Sequence, residues 1–449
     1  MKKKSGKEKR LLARALQPEK DSLKLHSFYR GKIEIAPRCW ISSLEDFAIW
    51  YTPGVAAPCR AIRRDPALSY RYTSRWNTIA VISDGSRVLG MGDIGPEAGL
   101  PVMEGKALLF KYLGAVDAVP LCLRVDGEEE FIRTVKALEP SFGGINLEDI
   151  AQPKCFKILE RLRAECSIPV WHDDQQGTAA VTLAALLNAL RVVGKKLESA
   201  AIVLVGAGAA NIRIFRVLVQ AGASPGRIVV CDSRGILNRA RKDLKTHPWK
   251  WAVCRESNAS GRSGGIAGAL SGADVLIALS RPGPSTIKPE WISAMASSSI
   301  CFLCANPVPE LWPWEARRAG AKVVATGRSD FPNQVNNCLG FPGIFRGALD
   351  VRASTITDEM CIAAAEEIAL CAREKGLKED YIIPSVEEWD LHPRVAAAVG
   401  SKAVEQGLAS SPAPPRRIYR RARELMERAR RQNQVLRRSG LIAPKKKIR

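Results

Sequence analysis

Short apolar runs alternate along this chain with longer stretches in which apolar residues recur at helical spacing. The short runs are almost continuously apolar, which is typical of parallel strands covered on both faces. They predict strands at 78–83, 118–125, 168–171, 201–205, 227–231, 274–280 and 299–306. Helices are predicted at 101–111, 128–138, 154–164, 178–194, 212–221, 356–374, 393–406 and 416–438. This alternation predicts an α/β protein with an N-terminal α/β domain and a doubly wound, Rossmann-type domain.

The two ends of the chain differ from its body. Residues 1–20 contain eight Lys or Arg and two Glu, which predicts a frayed basic arm. An irregular segment with one strand-like run, at 32–35, follows it. Near the other end, a Ser/Pro/Ala linker leads into a basic helix. We therefore expect a basic arm at 1–20, a first domain at 21–165, a second domain at 166–405, and a linker with a basic helical tail at 406–449.

The composition is that of an ordinary globular protein. Its 449 residues are 46% hydrophobic and 25% charged, enough for two or three domains with a large core. The net charge is +22, of which residues 1–20 supply +6 and residues 412–449 supply +12. The body is therefore close to neutral, which argues against a nucleic-acid-binding face there. The basic ends are either solvated charge or contacts for an anionic partner.

The twelve cysteines are scattered singly, apart from Cys301-x-x-Cys304. That pair lies in an apolar run without a second pair, so we expect buried thiols rather than a zinc site. No apolar run approaches the length of a membrane span, and the basic N-terminus lacks the apolar core of a secretory signal. We expect a protein of the reducing cytoplasm.

Two acidic pairs mark a candidate metal site. Asp173 and Asp174 follow an apolar run and precede a long helix. Glu148 and Asp149 lie about twenty-five residues upstream, just after Asn146, which the pattern predicts to be a helix N-cap. Carboxylates without cysteine or paired histidine are hard ligands suited to Mg²⁺ or Mn²⁺. The alternative is that both pairs are capping acids at helix starts.

The chain contains two glycine fingerprints. Gly90-x-Gly92-x-x-Gly95 is a weak one, although its turn and Arg87 are suited to binding an anion. The stronger one is Gly206-Ala-Gly208, which follows a predicted strand and precedes a helix, with Asp232 at the end of the next strand. This arrangement predicts a nicotinamide dinucleotide site; a plain α/β turn is the alternative.

Asn211 stands where that fingerprint has its third glycine, so we expect looser or shifted packing of helix on strand and weaker coenzyme binding. Asp232 disfavours the 2′-phosphate of NADP, although Arg234 is placed to neutralise one. We therefore favour NAD and keep NADP as an alternative.

Two further side chains are candidate site residues. Lys106 lies among small and apolar residues; it either extends to solvent or, if desolvated, has a lowered pKa and acts as a general base. Tyr51 precedes a Pro-Gly turn, where a side chain either projects into a cleft or packs in the core.

A polar loop at 326–337 is either an ordinary turn or a segment facing the nicotinamide.

These segments, in this order, resemble malic enzyme of the shorter bacterial type, over roughly residues 22–400. The matching motifs are Tyr51-Thr-Pro-Gly-Val-Ala56, Asp84-Gly-Ser-Arg87 through Gly-Met-Gly-Asp-Ile-Gly-Pro-Glu97, Pro101-Val-Met-Glu-Gly-Lys106, Asn146-Leu-Glu-Asp149, His172-Asp-Asp-Gln-Gln-Gly-Thr178, Gly206-Ala-Gly-Ala-Ala210, Asn306-Pro-Val-Pro-Glu310 and Thr326-Gly-Arg-Ser-Asp-Phe-Pro-Asn-Gln-Val-Asn-Asn337. The resemblance implies oxidative decarboxylation of L-malate to pyruvate and CO₂ with reduction of NAD(P). It also implies a homodimer or higher homo-oligomer.

The resemblance assigns roles to residues. Lys106 is implied as the general base, Tyr51 as the acid that protonates C3, and Asp173 as a neighbour of the ion and Lys106. The implied metal ligands are Glu148, Asp149 and Asp174. The implied contacts to malate are Arg87, Asn306 and one or both of Asn336 and Asn337. The implied coenzyme contacts are Gly206, Gly208, Ala209, Ala210, Asp232, Ser280 and Asn306.

Two alternatives stay open. A malolactic enzyme would use the same metal and NAD but release lactate. A catalytically weak paralogue would bind anionic surfaces through its basic tails. Gln176, where the family often has His, is expected to touch neither metal nor substrate.

Overall fold

The computed structural model describes residues 6–284 and 286–444, which form two sheets flanked by helices. The elements of the first part are α1 (Gly6–Tyr29), α2 (Asp46–Trp50), α3 (Ala56–Arg64), α4 (Ser69–Tyr72), β1 (Thr78–Ser83), α5 (Gly95–Gly114), β2 (Asp117–Cys122), α6 (Gly127–Leu138), β3 (Gly144–Leu147), α7 (Lys154–Glu165), β4 (Val170–His172) and α8 (Thr178–Val192). The second part contains β5 (Ile202–Val205), α9 (Ala209–Gln220), β6 (Ile228–Asp232), β7 (Gly235–Ile236), α10 (Pro248–Glu256), α11 (Ile266–Leu270), β8 (Val275–Ala278), α12 (Pro289–Ser293), β9 (Ile300–Leu303), α13 (Pro313–Arg318), β10 (Val323–Thr326), α14 (Phe341–Asp350), α15 (Asp358–Glu374), α16 (Leu391–Glu405) and α17 (Pro415–Arg438).

Both sheets have the parallel character that the continuous apolar runs predict. The first has the order β2-β1-β3-β4 and is parallel throughout. The second has the order β10-β9-β8-β5-β6-β7, in which β7 is antiparallel to β6. Its strand order reverses at β5, the point at which doubly wound sheets bind ligands. The predicted α/β class, with an N-terminal α/β domain and a Rossmann-type sheet, is confirmed.

The strand β4 belongs to the first sheet, where it pairs with β3. That sheet therefore extends beyond residue 165, the boundary expected from the sequence. We propose a domain boundary after β4, within the turn that begins α8.

The prediction for the N-terminus is wrong. Residues 6–20 are not a frayed arm but part of α1, and no strand forms at 32–35. The prediction weighed charge alone, although Leu, Ala, Lys and Arg are strong helix formers. Residues 1–5 of the predicted arm lie outside the described residues.

Asn146 is not a helix N-cap, because it lies within β3. This four-residue strand, β10 and α14 were all missed. The helix α14 was not predicted because it contains glycines. A Cβ at Gly347 would lie 2.3 Å from the Ala396 carbonyl oxygen, so glycine allows α14 to approach α16 closely. Close packing between helices therefore outweighs the poor helix propensity of glycine here.

The predicted basic helix forms as α17 and packs onto the body of the protein. One face buries Ile418, Ala422, Met426 and Ala429. Within residues 6–284 and 286–444, no helix has the length and apolarity needed to cross a membrane.

Candidate active site

The carboxyl ends of β3 and β4 carry the two predicted acidic pairs. Glu148 and Asp149 follow β3, and Asp173 and Asp174 follow β4. Because these strands pair in parallel, both pairs leave the sheet at the same edge. We call these four residues the acid cluster.

Lys106 on α5 lies against the acid cluster. Its Nζ donates a 2.6 Å hydrogen bond to Asp173 Oδ2 and lies 3.0 Å from Glu148 Oε1. It also lies 4.5 Å from the centre of the Phe341 ring. The side chain is only 8% exposed, so this is a buried ion pair rather than a lysine extending to solvent.

The pKa of Lys106 differs from the lowered value expected for a desolvated lysine. Burial does act to lower it, but the charges of Asp173 and Glu148 outweigh burial and raise the pKa above its ordinary value. Any cation that bound these carboxylates would weaken their hold on Lys106. The basicity of Lys106 is therefore tied to the charge on its acidic neighbours.

Two neighbours fix the direction of Asp173. Trp171 donates a 3.1 Å hydrogen bond from Nε1 to Asp173 Oδ1. A Cβ on Gly177 would lie 1.9 Å from the same oxygen, so only glycine leaves room for the carboxylate. Both neighbours come from the strand and turn around Asp173, so the sequence 171–177 orients it locally.

The acid cluster has the properties of a cation site. Burial holds the pKa of Glu148 well above its ordinary value although Lys106 opposes this, and burial together with Asp174 raises the pKa of Asp149 to about 8. Asp149 Oδ2 is buried without a hydrogen-bond partner among the described residues. Oxygen ligands of this kind fit Mg²⁺ or Mn²⁺, whose charge would remove the cost of burying them.

The carboxylates are nevertheless not arranged as a closed metal cage. Asp174 Oδ2 accepts a 2.9 Å hydrogen bond from the backbone N–H of Asp149, and Glu148 Oε2 accepts one of 2.9 Å from Asn146. In the part of the chain that is described, no three His, Cys, Asp or Glu side chains stand together as a ready ligand set. Binding an ion would require these side chains to turn away from their internal donors.

Arg87 lies in the loop after β1, and Asn306 lies in the loop after β9. The Arg87 backbone N–H donates to the Asp149 carbonyl at 3.0 Å, and its exposed guanidinium helps to lower the pKa of Asp149. Cβ atoms added at Gly90 and Gly327 would each lie 3.0 Å from atoms of Asn306. Asn306 therefore stands where a loop of the first sheet meets the loops of the second.

The two asparagines at the end of the polar loop differ in their surroundings. The Asn336 side chain is committed to the loop: Nδ2 donates to the Gly327 carbonyl at 3.2 Å, and Oδ1 accepts from the Cys338 N–H at 3.0 Å. Asn337 lies beside the turn that holds Asp173, since a Cβ on Gly177 would be 3.3 Å from Asn337 Cβ. Of the two, Asn337 is placed beside the acid cluster.

Tyr51 is not brought into this cluster. It ends α2, its side chain is 71% exposed, and no hydrogen bond among the described residues joins it to Lys106 or the acids. Exposure also excludes the alternative that it packs in the core. In a single chain, Tyr51 is available only to solvent or to another molecule.

The glycine turn between β5 and α9 is shaped as the stronger fingerprint predicts. Gly206 has φ +102°, and a Cβ there would lie 2.4 Å from the Leu279 carbonyl oxygen. A Cβ on Gly208 would meet open space, so the backbone of this turn is accessible to a ligand. Ala209 and Ala210 begin α9, whose free N–H groups favour an anion.

Asn211 replaces the third glycine without loosening this turn. It is 1% exposed, and its Nδ2 donates hydrogen bonds to the carbonyls of Val205 at 3.0 Å and Gly206 at 2.8 Å. The looser packing expected from the sequence is therefore not found. The amide ties α9 to the end of β5 by hydrogen bonds instead.

Asp232 lies at the end of β6, and both of its carboxylate oxygens accept hydrogen bonds from neighbouring residues. Its Oδ1 accepts from the Arg234 backbone N–H at 2.9 Å and Arg241 Nη1 at 2.8 Å; its Oδ2 accepts from Arg241 Nη2 at 3.0 Å and Lys250 Nζ at 3.4 Å. Burial acts to raise the pKa of Asp232, but these partners hold it below its ordinary value. The sequence did not identify Arg241 and Lys250 as partners of Asp232, because they lie nine and eighteen positions beyond it in the chain.

Glu310 is a further buried acid, for which no role was predicted. Its Oε1 accepts the Ser280 backbone N–H at 2.9 Å, and its Oε2 accepts the Ala305 N–H at 3.1 Å. It thus joins the loops after β8 and β9, which carry Ser280 and Asn306. Burial raises its pKa to about 7. In the sequence, Glu310 is the acid that ends the matching motif Asn306-Pro-Val-Pro-Glu310, but the motif does not show which groups it contacts.

Comparison with known protein families identifies the family of this chain. Residues 30–130 and 125–163 match the family described as malic enzyme, N-terminal domain, and residues 175–307 and 320–404 match malic enzyme, NAD binding domain. The chain belongs to the malic enzyme family. This confirms the resemblance to malic enzyme that the sequence motifs predicted. It also confirms that the protein is an NAD(P)-dependent oxidoreductase.

Several malic enzymes are similar to this chain over most of their length. The bifunctional malic/malolactic enzyme of Bacillus subtilis (strain 168) is 47% identical over 409 residues, covering 90% of this chain and 98% of its own. The NADP-dependent malic enzyme of Halomonas elongata is 44% identical, covering 86% and 93%. The crystal structure of Entamoeba histolytica malic enzyme has a TM-score of 0.95 and 45% identity, covering 100% of this chain and 94% of its own.

Proposed function

We propose that this malic enzyme converts L-malate to pyruvate and CO₂ while reducing NAD(P), with the help of a divalent cation. The observation that carries the proposal is the buried contact of Lys106 with Asp173 and Glu148. It lies at the sheet edge whose loops meet the loops of the coenzyme domain at Asn306. Arg87, Asn306 and Asn337 are placed to bind and orient malate there.

The reaction needs one base and one acid. Lys106 Nζ, in its neutral form, takes the proton of the C2 hydroxyl as hydride passes from C2 to the nicotinamide. A cation held by the acid cluster would favour that neutral form, because it would offset the charges that raise the pKa of Lys106. Loss of CO₂ from the resulting oxaloacetate leaves an enolate, to which Tyr51 returns a proton at C3. One proton is taken and one is given, so the products are pyruvate, CO₂ and reduced coenzyme.

Glu148, Asp149 and Asp174 would hold the cation. When bound, it supplies Lewis acidity at the C2 oxygen. Asp173 has a separate duty: it orients Lys106 and accepts its hydrogen bond. Because Asp173 is fixed by Trp171 and Gly177, Lys106 is held in place while its proton is exchanged.

The direct test is the absorbance of NAD(P)H formed from malate by the purified enzyme. We expect formation with Mn²⁺ or Mg²⁺ and its loss after chelation. Product analysis separates the two family chemistries: pyruvate accumulating with NAD(P)H supports the proposal. Lactate without net NAD(P)H would support a malolactic reaction, which is worth testing because the Bacillus subtilis relative is named for both. Absence of either product would support the weak paralogue.

We also propose a homodimer in which the second copy covers the N-terminal segment. Helices α2, α3 and α4 contain no buried residue, and the segment exposes Ile35, Trp40 and Leu44 by 101%, 82% and 84%. Apolar exposure of this density marks an interface. Tyr51 lies in the same segment, so we assign it to the site of the second copy.

Mixed dimers test this assignment. Tyr51→Phe and Lys106→Ala chains, each nearly inactive alone, are unfolded, mixed and refolded. With Tyr51 acting across the dimer, random pairing restores about a quarter of wild-type activity, because half of the dimers contain one intact site. With Tyr51 acting within its own chain, the mixture stays inactive and the assignment fails.

We propose that the coenzyme site accepts NADP as well as NAD. A carboxylate offers about four acceptor positions, and those of Asp232 are occupied by Arg234, Arg241 and Lys250. A ribose hydroxyl would have to displace one of these partners, whereas a 2′-phosphate would find two cations, Arg241 and Lys250. In the Arg241→Gln/Lys250→Gln variant, we expect kcat/KM for NADP to fall much more than that for NAD. Equal losses would refute the assignment.

The twelve cysteines support a reducing, cytoplasmic setting, which we also propose. All twelve are free thiols, and Cys301 and Cys304 are both buried, as expected. Catalytic activity in the soluble fraction of the source cells, with thiol titration of the unfolded protein giving twelve groups, is the expected result.

A further inference from the structure

The helix α17 presents a row of arginines that the malate reaction does not use. It contains ten Arg, two Glu and no Lys, and it lies beyond residue 404, where the match to the family ends. Seven of these arginines are exposed and have no ion-pair partner among the described residues. Six of the seven, all except Arg437, lie on one side of the helix. They are Arg416, Arg417, Arg420, Arg428, Arg431 and Arg438, and we call them the arginine face.

The arginine face is directed away from the protein. At 100° per residue, its members fall within a sector of about 120°, opposite the apolar side of the helix. That apolar side is buried: Ala422, Met426 and Ala429 pack with Ala115 and Ala396. Other arginines fasten the helix, since Arg430 stacks on Trp389 at 3.9 Å. The helix therefore cannot turn its charge inward.

The charge of this face is only partly neutralised within the chain, because Glu424 is the one acid in the same sector of α17, against six arginines. Pairs such as Arg416–Arg420 and Arg428–Arg431 are helical neighbours of like charge, which destabilise a helix. Glu427 pairs with Arg423, which is outside the face. A surface that keeps such repulsion without using it in its own fold is suited to an anionic partner.

The last residue of α1 lies beside the end of this helix. Tyr29 donates a 2.6 Å hydrogen bond from its hydroxyl to the Ala443 carbonyl, just beyond α17. This contact joins segments that lie 414 positions apart in sequence and helps to hold the end of α17 on the protein.

We propose that the arginine face binds the phosphate backbone of nucleic acid. Arginine without lysine favours bidentate contact with phosphate, which guanidinium makes and ammonium does not. From Arg416 to Arg438 the face extends about 33 Å at 1.5 Å per residue, long enough to follow many phosphates. A membrane surface fits less well, because amphipathic helices bind lipid through an apolar face and that of α17 is already buried.

The test is fluorescence anisotropy of a labelled RNA 20-mer and a labelled DNA duplex with the full-length enzyme. The face variant replaces Arg416, Arg420, Arg431 and Arg438 by Gln. The matched control replaces Arg133, Arg191, Arg317 and Arg373 by Gln; these are exposed elsewhere, and the control loses the same net charge. We expect the face variant to bind at least about tenfold more weakly than the control variant, with a salt slope smaller by about three to four.

Two further measurements keep the outcome decisive. Arg→Lys replacement at the same four positions should keep the salt slope and lose only part of the affinity. Malate turnover should be unchanged in all variants, which shows that they fold. Equal binding by the face and control variants would overturn the proposal, because overall charge would then explain binding. Tighter binding to phosphatidylserine vesicles than to either nucleic acid would overturn it in favour of a membrane surface.

Discussion

Lys106 and Asp173 are joined by a 2.6 Å hydrogen bond although they lie 67 positions apart in the chain. One belongs to a helix that packs on the first sheet, and the other to the turn that leaves β4. Asp173 is in turn fixed by the residues on either side of it. The chemistry proposed for the enzyme depends on this fixed direction, because a base must be held at hydrogen-bond distance from the proton that it takes.

Gly177→Ala tests whether the direction of Asp173 matters. The new Cβ would lie 1.9 Å from Asp173 Oδ1, so the carboxylate must move away from Lys106. We expect malate turnover to fall by about 100-fold, as for other misplacements of about 1 Å in an active site. Gly105→Ala is the control, because a Cβ there meets nothing within 4 Å. Normal turnover by Gly177→Ala would show that Asp173 tolerates displacement.

The sequence predicted those parts of the site that are continuous in the chain. The strand, glycine turn and acid around Gly206 and Asp232 follow one another with recognisable spacing, and so do the residues of the acid cluster. What the sequence could not show was how separate segments meet. Arg241 and Lys250 reach Asp232 only through the fold, and Glu310 has a role only because the loops after β8 and β9 are neighbours.

The errors have physical causes as well. The strand β3 has four residues and ends in an acidic pair, so Asn146 was interpreted as a helix cap. The role that the resemblance implies for Tyr51 stays a prediction, because the fold of one chain leaves Tyr51 exposed and a second copy would have to bring it to a site. The pattern of residues in one sequence does not show which side chains contact a second molecule.

The metal-free enzyme should lose stability as pH rises. The pKa of Asp149 is about 8 in the folded protein and near its ordinary 3.8 when unfolded. Between these values the unfolded chain releases a proton that the folded one keeps, so stability falls with pH and levels off above about 8. We expect the Tm of the chelated enzyme to decrease across this window.

Two comparisons isolate the contribution of Asp149. Mn²⁺ should remove much of the decrease, since it stabilises the ionised carboxylate, and Asp149→Asn should reduce the decrease without added metal. A pH dependence of Tm that is the same in Asp149→Asn and wild type would contradict the burial argument.

Glu310→Gln tests the link between the loops after β8 and β9. Glutamine keeps the size but can accept only one of the two backbone N–H bonds well, and an unpaired buried N–H costs about 1–3 kcal/mol. We expect a raised KM for the coenzyme with a smaller change in kcat, because Ser280 and Asn306 would be less well held. Glu290→Gln, on the exposed surface of α12, is the control. Unchanged coenzyme KM would mean that Glu310 serves stability alone.

Asn211→Gly decides whether the departure from the glycine fingerprint is a defect. Asparagine makes two hydrogen bonds to the end of β5 and the turn, at 3.0 and 2.8 Å, and glycine makes neither. We expect weaker NAD binding and a lower Tm in the variant, measured by calorimetry. Tighter NAD binding would instead show that the third glycine is the better residue in this chain.

The most direct measurement is the rate of NAD(P)H formation from malate by Lys106→Ala, with saturating divalent cation. If Lys106 is the base, the rate falls by about 10²–10⁴-fold and added methylamine restores part of it, more strongly as pH rises and the amine is deprotonated. Lys111→Ala, on the same helix but paired with Asp117 at the surface, keeps nearly full activity. If Lys106→Ala turns over malate as fast as Lys111→Ala, Lys106 is not the base and the proposed mechanism is wrong.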